Sequence, residues 1–267
     1  MKVKAPAALL ALLSMAIIFI PVPAHAFSLG LEPITGSVSS EVKVPAFCQY
    51  GEGDYSLYWD ENQLITQGTV DAKGCTPIFF KVPEATRGKH TVTLKVGNRT
   101  FSRDFTVTGT VILGTRKGPV GSQVLVQGYG FDNQEGGIHI SFDGNNVASS
   151  IESSRSGSWQ YTIKIPMTSR GNHSISASGP STPLQEIGNK TFEVSPTIAV
   201  NPVSGWVGRT VNVSGAGFGN GESSITVLYD DLPVKSGLIA DSAGTWQSSF
   251  SVLHLPGVCT GLMHGAI

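Results

Sequence analysis

The sequence predicts an all-β protein built of tandem sandwiches, and three observations carry that prediction. Apolar and polar residues alternate in short runs, turn-forming residues separate the runs, and the whole pattern recurs along the chain. Val124-Leu-Val126, Ile138-His-Ile140-Ser-Phe142, Tyr161-Thr-Ile163-Lys-Ile165 and His173-Ser-Ile175-Ser-Ala177 have the two-residue period of half-buried strands. Gly128-Tyr-Gly130, Asp143-Gly144-Asn145, Ser156-Gly157-Ser158 and Arg170-Gly171-Asn172 are the turns between them. Helical spacing with caps is read nowhere after residue 26.

The first 26 residues read as an export signal. Lys2 and Lys4 precede an apolar run from Ala5 to Ile20, broken only by Ser14, and Pro21-Val-Pro23 then leads to the small-x-small site Ala24-His25-Ala26. The run is shorter than the ~20 residues of a membrane span. Loss of its two lysines takes the formal charge from -1 to -3. The mature chain is therefore expected to be secreted or held at the cell surface, with no stable membrane span after cleavage.

The recurrence defines the units. A displacement of 87 residues lays 111–165 on 198–252 without a gap. Gly118, Gly121, Val124, Val126, Gly128, Gly130 and Phe131 fall on Gly205, Gly208, Val211, Val213, Gly215, Gly217 and Phe218. Ile138, Ile140, Asp143, Val147, Gly157 and Trp159 fall on Ile225, Val227, Asp230, Val234, Gly244 and Trp246. A fainter copy lies 83 residues upstream of the second unit, where Leu57, Trp59, Asp60, Gly74, Gly88 and His90 precede Ile140, Phe142, Asp143, Gly157, Gly171 and His173. The chain thus divides into the signal (1–26), a divergent first unit (27–109), a second (110–196) and a third (197–267). Units of this size with about seven short strands suit an immunoglobulin-like sandwich, and Trp159 and Trp246 belong in its core. After Val252 the alternation ceases, so the third unit is expected to be truncated, incomplete at its C-terminal end. An unpaired edge follows from that.

The run Ile198-x-Val200-x-Pro202-x-x-Gly205-x-x-Gly208-x-x-Val211-x-Val213-x-Gly215-x-Gly217-Phe218 resembles the opening of an IPT/TIG domain. These are the immunoglobulin-like domains of plexins, some transcription factors and many microbial surface proteins. The second unit repeats the pattern from Val111 to Phe131, with Thr115 in place of the proline. In the first unit Leu29, Leu31, Gly36, Val42 and Val44 trace it, Ser39 replaces a glycine, and the Gly-Phe turn has become Phe47-Cys48-Gln49. The resemblance implies a tandem repeat protein of a microbial surface or secreted type. The family serves as spacer, adhesion module and DNA-binding accessory alike, so the resemblance implies no one of these in particular.

Composition and motifs narrow the chemistry. Eighteen basic residues against 19 acidic ones do not make the basic stripe that nucleic acid requires. Gly215-x-Gly217-x-Gly219-x-Gly221 would cradle phosphate only ahead of a helix, and a strand-like run follows it. No serine elbow, His-Glu-x-x-His or paired-carboxylate pattern marks a catalyst, and His90 and His173 are equivalent strand residues. The equivalent Asp60, Asp143 and Asp230 open hairpins and are expected to cap their own turns rather than hold calcium. No enzyme, metal or cofactor is expected.

Cys48 and Cys75 are a candidate disulfide in an exported first unit that lacks its siblings' Phe and Trp nearby. Asn98, Asn172, Asn189 and Asn212 begin candidate glycosylation sequons. The function expected is a surface or extracellular binding, adhesion or spacer module for a protein or carbohydrate ligand, contacted through the loops 128–137, 145–157 and 215–222 or along an edge strand. Two alternatives stand beside it: a non-catalytic region of a larger secreted carbohydrate-active enzyme, and an envelope component that assembles laterally.

Overall fold

The computed structural model describes residues 28–45, 50–70 and 77–254. Strands dominate them, and three separate hydrophobic clusters follow one another along the chain.

The first unit contains β1 (Thr35–Gly36), β2 (Glu41–Val44), β3 (Gly53–Trp59), β4 (Gln63–Val70), β5 (Ile78–Lys81), β6 (Gly88–Val96) and β7 (Arg99–Val107). One sheet has the order β1-β7-β6-β3-β4 and faces the pair β2-β5. Between them Leu57, Trp59, Val92, Leu94 and Phe105 are at most 2% exposed.

The second unit contains β8 (Thr110–Leu113), β9 (Lys117–Pro119), β10 (Gln123–Tyr129), β11 (Ile138–Phe142), β12 (Asn145–Ile151), β13 (Trp159–Lys164), β14 (Gly171–Ser178), α1 (Leu184–Ile187) and β15 (Lys190–Ser195). A sheet ordered β13-β10-β8 packs on one ordered β12-β11-β14-β15-β9. Each strand buries the apolar half of its alternation: Val124 and Val126 from β10, Ile138 and Ile140 from β11, Phe192 and Val194 from β15. Asp143-Gly144, both at positive φ, makes the two-residue turn between β11 and β12.

The third unit contains β16 (Thr197–Asn201), β17 (Thr210–Ala216), β18 (Ile225–Tyr229), β19 (Leu232–Leu238) and β20 (Trp246–Ser251). A β16-β17-β20 sheet repeats the second unit's three-stranded sheet, and β18-β19 repeats β11-β12. Among the described residues nothing corresponds to β14 and β15. Pro196 alone separates β15 from β16.

Phe131 meets Trp159 edge to face at 5.4 Å, and Phe218 meets Trp246 in the same way at 5.5 Å. The recurring Gly-Phe turn therefore exists to bring a phenylalanine against the indole of the strand opposite. The structure also corrects one expectation, because α1 is helical. It is a single turn between Pro183 and Gly188, the latter at φ 70°, too short for any apolar period to register.

Candidate functional site

Several polar side chains with distant partners, Glu84, Arg87 and Glu186 among them, gather where the first unit meets the second. The turn that precedes the hairpin β6-β7 in the first unit recurs before β14-β15 in the second. Both turns read Thr/Ser-Arg-Gly-x-His, at 86–90 and 169–173. The Arg87 amide donates to the Phe131 carbonyl at 3.1 Å, and the Arg170 amide donates to the Phe218 carbonyl at 2.9 Å. Each unit thus holds the Gly-Phe turn of its successor through the same main-chain bond.

Side chains elaborate the first of these junctions. Arg87 Nη1 donates to the Ser181 carbonyl at 2.5 Å, and Nη2 donates to Glu186 Oε2 at 2.6 Å. Glu186 Oε1 accepts the Gly109 amide at 2.7 Å, so the one-turn helix clamps the segment that joins the two units. Glu84 accepts the hydroxyls of Ser156, at 2.7 Å, and Ser158. Those two bonds hold its carboxyl below the ordinary glutamate value, against a smaller opposing effect of burial. At the second junction Arg170 Nη1 lies 3.7 Å from Glu222 Oε2, a looser ion pair.

The clamp depends on Glu135, which is 6% exposed. Oε1 accepts the amides of Ser181 and Thr182 at 2.7 and 2.9 Å. Oε2 accepts the Asp132 amide at 3.0 Å and the Thr182 hydroxyl at 2.6 Å. Burial pushes this carboxyl up, but the Thr182 hydroxyl and the three amides outweigh it and hold it low. The loop it pins is the one that carries α1. Glu222, its counterpart in the third unit, keeps one of these bonds, from the Gly219 amide at 2.7 Å.

The histidines of the two turns form matching clasps. His90 Nδ1 lies 2.6 Å from Asp60 Oδ2 and Nε2 lies 2.8 Å from the Thr86 carbonyl; His173 makes the same contacts with Asp143 and Ser169, at 2.6 and 2.8 Å. Each ring also stacks on an aromatic of the neighbouring strand, Trp59 or Phe142. The second carboxylate oxygen accepts the amide of Thr91 or Ser174. Asp60 and Asp143 therefore do not cap their own turns as expected; they reach across to the next strand. Both ring nitrogens face an oxygen within the fold, so neither is left to serve as a base. Asp143→Ala is expected to cost the second unit about 1.5–3 kcal/mol in urea unfolding, the value of hydrogen bonds to a charged group. Asp60→Ala is expected to act equally on the first unit, since Asp60 makes the same bonds to His90 and to the Thr91 amide.

A groove of about 470 Å³ runs along this first junction. Leu64, Ile112 and Tyr129 give it an apolar face, and Gln63, Lys81 and Glu84 line it with polar groups. Leu64 and Ile112 are nearly half exposed.

The three segments expected to meet a ligand contribute to the junctions, and residues 145–151 of the second belong to strand β12 and not to a loop. Phe131 and Glu135 come from 128–137, Ser156 from 145–157, and Phe218 and Glu222 from 215–222. The glycine-rich run at 215–221 leads into β18, a strand. Asn98, Asn172, Asn189 and Asn212 are all exposed, Asn212 on the outer side of β17. The signal and both Cys48 and Cys75 lie outside the described residues. Among the described residues no group of three or more His, Cys, Asp and Glu could hold a metal ion, and no helix is long and apolar enough to cross a membrane. Sequence reasoning missed Arg87, Arg170, Glu135 and Glu186. The Arg-Gly-x-His turn was the one available signal, since it occurs in both units.

The IPT/TIG domain family matches residues 114–192. No curated protein matches the chain in sequence. Among solved structures the chain is similar to the central fibronectin-III array of RIM-binding protein, at 13% identity and TM-score 0.24, over 86% of each chain. It is similar to SGBP-B of the Bacteroides ovatus mixed-linkage glucan utilization locus, solved with a mixed-linkage heptasaccharide, at 13% identity and TM-score 0.31, over 85% of this chain and 68% of that one. A third is invasin, a bacterial integrin-binding protein, at 12% identity and TM-score 0.24, over 81% of this chain and 57% of that one.

Proposed function

Starting from an IPT/TIG domain at residues 114–192, we propose that this chain is an exported, non-enzymatic surface or extracellular protein that acts as a spacer and binding module. The single observation that carries the reading is the repeated junction. The same Arg-to-Phe main-chain bond links the first unit to the second and the second to the third. Together with a connection as short as Pro196, it sets successive sandwiches at a defined angle, as a stalk requires.

The absence of an enzyme from this reading rests on chemistry. The two histidines spend both ring nitrogens on Asp and carbonyl oxygens, so they clasp strands and take no proton from a substrate. The groove at the first junction is the surface offered to a protein or carbohydrate ligand. Tyr129 and Ile112 supply an apolar face there, and Gln63, Lys81 and Glu84 supply hydrogen-bonding groups around it.

Small-angle scattering of residues 27–267 tests the spacer. An elongated particle of one dominant shape is expected. Arg87→Ala removes the bonds to Ser181 and Glu186 and is expected to broaden the distribution of angles between the first two units, with far-ultraviolet dichroism unchanged. Scattering from the wild-type chain that already matches freely jointed units would overturn the reading.

A further inference from the structure

The two junctions share their main-chain bond but not the side chains around it. The repeat sets each residue of the first groove against a counterpart at the second junction. Leu64, Ile112 and Tyr129 give way to Val147, Ala199 and Ala216, while Glu84 and Arg155 give way to Met167 and Ser242. Arg87 and Arg170 nonetheless hold the following Gly-Phe turn through the same bond at both places. The third unit likewise pairs β16 with β17 as the second pairs β8 with β10. Neither the sheet nor the junction therefore requires Ile112, Tyr129 or Arg155.

A second hollow of about 350 Å³ adjoins the groove of about 470 Å³, and the two share Gln63 and Glu84. Together they make one cleft, with one wall from each unit. Its charges balance, Lys81 and Arg155 standing against Asp60 and Glu84. Asp60 spends both oxygens on His90 and the Thr91 amide. At Glu84 both serine hydroxyls bond Oε1, which leaves Oε2 to accept from a ligand. Among the described residues the side chains of Asn62, Gln63, Lys81 and Arg155 have no hydrogen bond or ion pair. The cleft thus combines unspent donors and acceptors with the apolar surface of Leu64, Ile112 and Tyr129.

We propose that this cleft binds an uncharged polysaccharide, a chain of linked hexopyranose rings that lies across the first junction and touches both units. A hydroxyl both donates and accepts, so a sugar pairs with amide, cation and carboxylate alike. The C–H faces of its rings cover Leu64, Ile112 and the Tyr129 ring, as apolar walls with a few polar groups suit a small ligand. Two cations against two carboxylates leave no excess of charge for an anionic chain to neutralise. A protein partner would bury four charged side chains at the centre of its contact, where charge is depleted. This rests on the binding part of the proposed function and names its ligand; the spacer part is judged by scattering and does not depend on it.

The test is an amide-resolved NMR titration of residues 27–267 with hexasaccharides of β-linked glucose, β-linked mannose and α-linked glucose. A hexamer of galacturonic acid serves as the anionic control. Saturable shifts are expected with at least one neutral hexasaccharide at 63–65, 84, 129 and 155–156, and none at 146–148 or 242–243 of the second junction. The variant Ile112→Ala/Tyr129→Ala/Arg155→Ser writes the second junction's residues into the first. It is expected to keep the fold and to bind at least tenfold more weakly. Arg155→Ser alone, in an exposed loop, covers the case in which the triple variant unfolds, and is expected to bind at least threefold more weakly. No shift with any neutral hexasaccharide, equal shifts at both junctions, undiminished binding by the variants, or tighter binding of the galacturonic acid hexamer overturns the glycan. Sedimentation of the same samples separates that failure from a failure of the cleft. Self-association that the triple variant abolishes would give the cleft to a second copy of the chain, overturning the glycan but keeping a binding surface.

Discussion

Gly128→Ala is expected to destabilise the second unit by about 3 kcal/mol, the upper range for overpacking a filled core. Gly128 of β10 lies directly opposite Trp159 of β13, and the edge of the indole rests where a side chain would begin. A methyl group there would overlap the ring, which is 6% exposed and held on its other side by Phe131. The ring therefore has nowhere to move without opening the core. Its Nε1 is buried with no hydrogen-bond partner, as is that of Trp246, which lies against Gly215 in the same way. The indole was placed for its surface, not for its polar atom. Urea unfolding checks the expectation, and a double-mutant cycle makes it specific. In a Trp159→Phe background the smaller ring leaves room, so Gly128→Ala is expected to cost well under half as much. An equal cost in both backgrounds would mean that the glycine is needed for backbone freedom and not for the close approach.

The second large effect is expected at Glu135. Glu135→Ala leaves the amides of Asp132, Ser181 and Thr182 without their acceptor in a buried site, a loss of about 3 kcal/mol. Glu135→Gln keeps the shape but turns an amide nitrogen toward donors, so most of that loss is expected to remain. The two variants separate in their pH dependence. The wild-type carboxyl is held below its ordinary value of 4.5 in the folded state. Its contribution is therefore complete above that value and is lost as pH falls through the lower, folded one. The difference between wild type and Glu135→Gln is expected to be constant from pH 7 to pH 5 and to shrink below about pH 4. Because the same loop carries Glu186, both variants are also expected to loosen the first junction in scattering. A difference that stayed flat down to pH 3 would show that the site does not titrate with folding.

Much of the fold was legible in the sequence. The two-residue alternation of Ile138-His-Ile140-Ser-Phe142 names both a strand and its buried face, because a pleated strand points successive side chains to opposite sides. Gly128, Phe131, Gly157 and Trp159 recur at one spacing because each glycine admits a contact that a side chain would block. One turn of helix escaped, since four residues are too few to show a period.

The candidate site was far less legible. Asp143 looked like a residue that would cap its own turn, yet it reaches a histidine 30 positions away. Arg87 and Glu186 are 99 positions apart and look like ordinary surface charges in isolation. Glu135 sits in a polar loop, with nothing nearby to mark it as buried.

Strand periods, turns, the core tryptophans and the order of the units were determined by the sequence alone, because each depends on neighbours a few residues away or on the repeat itself. Only the tertiary structure decided which polar groups meet across sheets and units. A charge has no period to reveal its place: whether it is solvated, clasped or buried depends on what the rest of the chain folds over it.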